Sequence, residues 1–573
     1  MSIANRKPSS RYGQPVPPAI KYASLPASVG GVNALDSMMM MPPQDCIYTF
    51  NLMPVEYGLR LRRGYREWAQ GLDGDVRTII AYDSASEDPS KDKLWAVTPA
   101  GIYDITISTG AVVYEMIAED DDEIVSEDDD ELITEGATPP ELIVAFSDTA
   151  DPSGYGVFTE WTNDASEHFL FYADAANGVY QYTEADDWAR PDNWEYDIGA
   201  GTVEIPYEDV VFVMTHKLRL WIIFKDSDDA WYSPVASATG GLFTKFTFGA
   251  KMPHGGYLTG LWSWTLDGGA GIDDYLVGVS RGGDVLIYRG ADPEAADWAG
   301  VGSWFIGATP NSRRIVVDHG SDMYILSTYG VTSLRDLLQG SVANNNRESP
   351  SAKVNRFLRA DVESSLDLYG WQMTEYPGDG FLQIITPKPS STSYIQYNQT
   401  TSTEAWGFWR GVPALCGETW NGQYFMGGEN TVYIYDGAVD GSTLDGAVGE
   451  AIPFQTLTSF QAPEGNFSTF KRCAMIRVNG VLAGTASISV KPVFDYNIDA
   501  QLPNPLPPPT TGESVWDSAI WDQSVWDYGL TGRSYPVGVA GMGRVMAIGF
   551  TGSAANRINV IGWDVMYTEG GLL

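Results

Sequence analysis

Between residues 76 and 436 the apolar positions alternate with polar ones in short runs, and the alternation breaks at turn residues instead of continuing at a helical spacing. One unit recurs: a short apolar strand, a turn carrying Gly or polar residues, then a second strand with aromatics. Copies stand at 94–105 (LWAVTPAGIYDI), 169–182 (FLFYADAANGVYQY), 218–233, 275–288, 381–397 and 424–435, and 323–334 (MYILSTYGVTSL) begins the same way. Turn pairs such as Asn177-Gly178 and Gly282-Gly283 mark each copy as a hairpin. One hairpin cannot bury its own face. Repetition at irregular spacings of about 40 to 60 residues therefore predicts the radial blades of an all-β, irregular six- or seven-bladed β-propeller over residues 46–450. A parallel β-helix is the alternative, with a shorter and stricter repeat.

Four stretches depart from the unit. Residues 1–45 are rich in Pro, Ser, Gly and Met without a sustained period and read as an extended arm. Its run Met38, Met39, Met40, Met41 adds adaptable apolar surface, suited to an interface and equally to buried filler. Residues 119–135 (EDDDEIVSEDDDELITE) form an acidic loop that like-charge repulsion keeps solvated; the Asp-x-Asp-x-Asp-Gly spacing of a calcium loop is missing. A helical insertion is expected over 331–368, with Ser349 as N-cap, Pro350 at the first helical position, and Val354, Phe357, Leu358, Val362 and Leu366 on one face. From 451 to 573 a further set of strands around a Pro-rich run predicts a C-terminal, sandwich-like platform domain. There Trp516, Trp521 and Trp526 stand five apart, a spacing that shares no face of a helix or strand. Successive turns planting each indole in a separate groove fit better, either as core packing or as anchors on a neighbouring subunit.

The 573 residues are 44% hydrophobic and 12% aromatic, enough apolar material for one large repeat-built domain with additions and too much for a disordered chain. A formal charge of -39, from 74 Asp and Glu against 35 Lys and Arg, argues against general affinity for nucleic acid or anionic membrane. Arg60, Arg62 and Arg63 are the one cluster singled out as able to conceal a phosphate-binding surface. Cys46, Cys416 and Cys473 have neither disulfide nor zinc spacing. The four histidines form no i, i+4 metal pair, no Walker loop occurs, and carboxylates are too numerous for any bare pair to signify. No catalytic residue, metal or cofactor is expected. Nor does any stretch approach the ~20 apolar residues of a membrane span or a signal-like N-terminal run, so synthesis in a cytoplasm is expected.

Residues 28–65 (SVGGVNALDSMMMMPPQDCIYTFNLMPVEYGLRLRRGY) resemble the opening of the tail nozzle, or tail tubular B-like, proteins of short-tailed phages. Met41, Pro42, Pro43, Asp45, Pro54, Leu61, Arg62, Gly64 and Tyr65 sit where that pattern puts them, while Leu52 stands where Trp is usual and Cys46 where Ala is usual. Residues 369–387 with 405–411, and the Trp-Asp pentads with the closing YTEGGLL, resemble the same family in the same order. The resemblance implies a non-enzymatic virion protein made in the host cytoplasm: a homohexameric ring with propeller and platform domains, coaxial with a tail adaptor and meeting tail fibres or spikes. Double-stranded genomic DNA would pass through its lumen without specific binding. The competing expectation is a carbohydrate-binding or carbohydrate-cleaving propeller, using exposed Trp and Tyr as sugar platforms.

Replacing Trp516, Trp521 and Trp526 by Ala is expected to weaken folding or ring assembly, since a buried Trp is worth ~3 to 5 kcal/mol. Thermal melts and mass measurements check this: wild-type behaviour would remove both roles.

Overall fold

The computed structural model describes residues 19–570 apart from 87, 110–139, 164, 237–240, 268–271, 291, 341–346, 388–393, 445–447, 483–485, 499–501 and 503–531. The acidic block 119–135 and the tryptophans Trp516, Trp521 and Trp526 lie outside the described residues.

Each expected hairpin lies within an antiparallel meander of its own, and the meanders of blades 6 and 7 are further linked through platform strands. Blade 1 runs Thr78–Tyr82, Lys93–Thr98, Gly101–Asp104 and Glu141–Ala145. Blade 2 runs Gly156–Thr162, His168–Asp174, Gly178–Thr183 and Asp187–Ala189. Blade 3 (Val210–His216, Arg219–Phe224, Ala230–Tyr232, Gly241–Phe246) carries the small pair Trp194–Asp197 and Thr202–Glu204 on its outer edge. Blade 4 runs Leu258–Asp267, Ile272–Ser280, Asp284–Arg289 and Ala299–Phe305. Blade 5 has three strands, Val316–His319, Asp322–Ser327 and Gly330–Ser333. Blade 6 runs Gln372–Tyr376, Phe381–Ile385, Ile395–Thr400 and Ala405–Arg410. Blade 7 has Cys416–Trp420, Gln423–Gly427 and Glu429–Ile434, and takes its fourth strand, Tyr65–Asp75, from ahead of blade 1. The protein is a seven-bladed β-propeller, closed by pairing Val432 with Ala69 and Ile434 with Arg66.

The packing explains why single blades would not stand alone. Each neighbouring pair of blades shares a core: Trp95, Leu170, Tyr172 and Tyr182 between blades 1 and 2, Phe171, Val213 and Ile222 between 2 and 3, and Trp221, Leu261 and Leu276 between 3 and 4. Phe381, Trp409 and Tyr424 join blades 6 and 7, and Ile79, Ala96, Cys416 and Phe425 join 7 back to 1. Edge-to-face pairs such as Trp95 with Tyr182, 4.6 Å between centroids, each add ~0.5 to 1.5 kcal/mol beyond burial. The turn at Asn177-Gly178 does two jobs. Gly178 has φ 74°, and a Cβ there would sit 2.2 Å from the Tyr207 carbonyl oxygen. The Asn177 amide donates to the Asp148 carbonyl oxygen at 3.0 Å, tying blade 2 to the connection from blade 1.

In place of a fourth strand, blade 5 is followed by two helices, α1 (Leu334–Leu338) and α2 (Asn355–Ser364). The expected start is corrected. Residues 331–333 are strand, Ser333 caps α1 by accepting from the Asp336 N–H, and α2 begins at Asn355 after a run of turns. The Ser349 hydroxyl instead donates to the Val331 carbonyl oxygen at 2.7 Å, so a hydrogen bond to the neighbouring strand takes the serine that a local rule assigns to capping. Val354, Leu358 and Val362 are buried as expected, whereas Phe357 is 41% exposed.

The platform is two packed sheets. The first orders Gly532–Gly543, Lys471–Leu482, Ile558–Glu569, Gly58–Leu61 and Leu52–Val55, with Ile20–Pro26 also on Ile558–Glu569. The second orders Ser487–Phe494, Met546–Ala554, Glu450–Thr458, Asp45–Phe50 and Gly31–Val32. Phe454, Phe550 and Trp563 fill the space between them. These pairings divide the chain elsewhere than at 45 and 450. Residues 20–61 belong with the C-terminal strands, because a strand takes its partner from wherever the fold brings one, and the local pattern of the arm carries no trace of it.

Ring closure at blade 7 generates a test. Ala69→Asp places a carboxylate at a fully buried position among Ile79, Phe425 and Val432. A loss of ~3 kcal/mol or more in urea unfolding is expected; an unchanged midpoint would mean that blade 7 holds without the Tyr65–Asp75 strand.

Candidate functional site at the propeller axis

The first strands of all seven blades run in the same sense, so residues just ahead of them gather at one mouth of the axis and residues at their C-terminal ends at the other. At the first mouth stand Arg77, Tyr155, Tyr257, Arg313, Arg314 and Tyr369. Arg77 pairs with Asp151 at 2.7 Å and lies 4.7 Å over the Tyr155 ring, which stacks on Tyr369 at 6.0 Å. Tyr155 leads into blade 2 and Tyr369 into blade 6, so this stack crosses the axis. Arg314, leading into blade 5, also crosses it, donating to the Thr78 hydroxyl of blade 1 at 3.3 Å; its Nη2 is buried with no hydrogen-bond partner among the described residues. Arg313 donates to the Leu258 and Thr259 carbonyl oxygens, and burial lowers its guanidinium to about 10. Side chains from blades 1, 2, 5 and 6 therefore plug this end of the axis. Further in, burial pushes the Glu418 carboxyl up to about 7, although it accepts from the Thr419 N–H and has the Arg314 cation nearby.

The opposite mouth collects carboxylates and three of the four histidines. His319 Nδ1 lies 2.9 Å from Glu375, which raises its pKa, while Asp318 alongside is raised by burial and then by the Glu375 charge. His168 Nδ1 meets the Thr162 hydroxyl at 2.8 Å, with Glu160 3.6 Å from its Nε2. His216 Nδ1 meets the Ser263 hydroxyl at 2.9 Å. That Ser–His contact has the outline of a nucleophile and base, but burial drops the imidazole to about 4 and its Nε2 has no hydrogen-bond partner among the described residues. The fourth, His254, holds Asp284 at 2.6 Å between blades. Each histidine is thus in a structural hydrogen bond. Among the described residues no three His, Cys, Asp or Glu side chains form a metal-holding group, and the three cysteines are free and buried, with Cys416 and Cys473 each raised to about 11 by burial.

Arg60, Arg62 and Arg63 do come together, at the seam between platform and propeller, lining a 580 Å³ cleft with Tyr57, Asp436, Arg557 and Asn559. Two carboxylates from later in the chain meet these three arginines. Arg60 pairs with Asp379 at 3.0 Å and Arg63 with the same carboxylate at 3.8 Å. Arg62, fully buried, forks onto Asp440 at 2.6 and 2.5 Å and donates to Asn51 at 3.0 Å. The methionine run splits: Met41 is buried and Met38 is half-buried against the cluster that includes Phe460 and Val493, while Met39 and Met40 are exposed. Sequence reasoning missed Arg77, Tyr155, Arg314 and Tyr369. Their one common signal is a place immediately ahead of a blade's first strand, visible only once the strands are located.

No family model and no curated protein matches this chain. Solved structures overlap it in part. A quinoprotein alcohol dehydrogenase-like protein of Bacteroides thetaiotaomicron is 10% identical over 58% of this chain and 66% of its own, with a TM-score of 0.27. The Pan2 WD40 domain of Neurospora crassa is 7% identical over 66% and 84%, at 0.23, and a lectin of Aleuria aurantia is 10% identical over 53% and 88%, at 0.22. The propeller assignment stands on the strand pairing itself.

Glu418 makes the axis sensitive to pH. A carboxyl raised above its ordinary 4.5 favours the fold when protonated, so its contribution is complete below that value and is lost as pH rises through about 7. Glu418→Gln is expected to be more heat-stable than wild type at about pH 8, with the gap shrinking toward about pH 5. Melting curves that stay parallel across this window would place the carboxyl in water.

Proposed function

We propose that this chain is a structural, non-enzymatic virion protein: the tail nozzle subunit of a short-tailed phage, assembling as a homohexamer whose lumen conducts the genome, with surfaces for an adaptor and for fibres or spikes. The observation that carries the reading is where the family-like residues of the 28–65 stretch sit. Asp45, 1% exposed, accepts from Asn33 at 2.6 Å and from Lys353 at 2.9 Å; Leu61 is buried; Arg62 forks onto Asp440; and a Cβ on Gly64 would lie 1.8 Å from the Val439 carbonyl oxygen. Asp45, Leu61, Arg62 and Gly64 of the resemblance therefore help build the seam that fixes platform to propeller. The two departures, Leu52 and Cys46, are buried apolar positions, where a change of side chain alters packing and leaves that seam intact.

The plugged propeller axis supports placing the conduit between subunits and not through a blade ring. Asp379 and Asp440 offset two of the three charges of Arg60, Arg62 and Arg63, which weakens what that cluster offers to phosphate, in keeping with passage of DNA without retention. Sugar recognition on a propeller face requires exposed aromatic platforms; among the described residues no tryptophan side chain is exposed, and the exposed tyrosines Tyr22 and Tyr57 stand on the first platform sheet, not on a blade.

The test is a titration of labelled duplex DNA against the assembled protein at two salt concentrations, with assembly mass measured in parallel. A six-subunit ring with no measurable duplex binding at physiological salt is expected. Tight binding that weakens steeply with salt would contradict a non-retaining conduit, and cleavage of a glycan would contradict the structural reading.

A further inference from the structure

The first platform sheet covers its core with one face only. On that face Leu25, Trp563, Val565, Ile476, Val478 and Val537 point at the second sheet. The other face is a lattice of four rows, because residues opposite one another on paired strands share a face. One row reads Tyr22, Met566, Met475, Gly538, and the next Ser24, Asp564, Arg477, Pro536. Pro26, Gly562, Asn479 and Ser534 flank these on one side, and Ile20, Thr568, Arg472 and Met542 on the other. A bulge between Cys473 and Met475 brings Arg472 and Arg477, five residues apart, onto the same face.

Nothing among the described residues covers this face. Ile20 is 58% exposed, Tyr22 66% and Met542 62%, and Pro536, Gly538 and Ala540 are exposed beside them. Arg472 and Arg477 are exposed and have no ion-pair partner among the described residues; Arg477 acts only through its field on Asp564, which Ser24 and Asn479 hold below the usual carboxylate range. At ~4.8 Å between strands and ~6.8 Å between rows the lattice spans ~500 Å², the larger part of the ~800 Å² per partner of a stable interface. Among the described residues the Gly532–Gly543 strand also pairs on one side only.

We propose that this outward face is a contact surface between copies of this chain, the apolar row seating on the neighbour and Arg472 and Arg477 reaching its carboxylates. A second copy is the occupant the charge favours, since its surface draws on 74 acidic against 35 basic residues, while this face offers two cations to one carboxylate. The proposal deepens the ring reading and rests on it. The contact is heterologous, this face meeting a different acidic patch on the neighbour, as a cyclic ring requires.

The experiment uses the full chain. Assembly is followed by sedimentation and native mass at two salt concentrations for wild type, Arg472→Glu/Arg477→Glu, Arg472→Lys/Arg477→Lys and Tyr22→Asp, and the arginines are footprinted with an arginine-selective dicarbonyl. The charge-reversed pair and Tyr22→Asp are expected to dissociate at least about tenfold more readily than wild type, with unchanged melting of the monomer. The lysine pair is expected to retain assembly, and Arg472 and Arg477 to be protected only in the assembled protein. If wild type assembles and the reversed pair assembles equally well, this surface is wrong while the ring reading stands. If wild type stays monomeric throughout the micromolar range, the ring reading falls and this surface with it. Protection of both arginines in the dissociated monomer would show that the chain itself covers the face and would overturn the proposal.

Discussion

Everything in this molecule depends on one non-local pairing: Tyr65–Asp75 laid antiparallel on Glu429–Ile434 as the last strand of blade 7. A propeller blade buries its faces only against its neighbours, so an open ring would expose two of them to water. The strand that prevents this comes from more than 350 residues earlier in the chain. Forming it costs the entropy of closing a very long loop, a term that rises only slowly with length, and it is repaid by the Ile79, Ala96 and Phe425 core between blades 7 and 1.

The same stretch of chain fastens the second domain. Running back from Tyr65, residues 58–61 and 52–55 enter one platform sheet and 45–50 the other. Arg62 sits at the crossing. A buried guanidinium is costly unless its donors are met, and here Asp440, Asn51 and the Arg63 carbonyl oxygen meet them. The closure of the propeller and the seating of the platform are thus mechanically one joint.

The two mouths of the axis differ in kind. The residues ahead of the first strands are arginines and tyrosines that interlock across the centre, while the strand ends present Glu160, Asp318, Glu375 and three histidines. The interlocked mouth explains how seven blades of unequal size stay centred, since Arg314 and Tyr369 reach partners two or more blades away. It also fills that end of the axis with protein side chains.

Seven hairpins were legible in the sequence because period-two alternation and Gly-bearing turns are local properties, fixed by side chains a few residues apart; even the weakest copy, 323–334, occupies a blade. The acidity and the absence of a zinc or disulfide spacing were equally local. The helix start was misjudged at Ser349 because its hydroxyl bonds a strand eighteen residues back, and Phe357 was misplaced with it. Where the domains divide, which charges are free and what closes the ring were decided by tertiary structure alone. Residues 20–61 look like an arm until the C-terminal strands offer them edges, and Arg60, Arg62 and Arg63 look like a basic cluster until Asp379 and Asp440 arrive from over 300 residues away. Strand partners and ion pairs depend on distance in space, which a linear pattern does not contain.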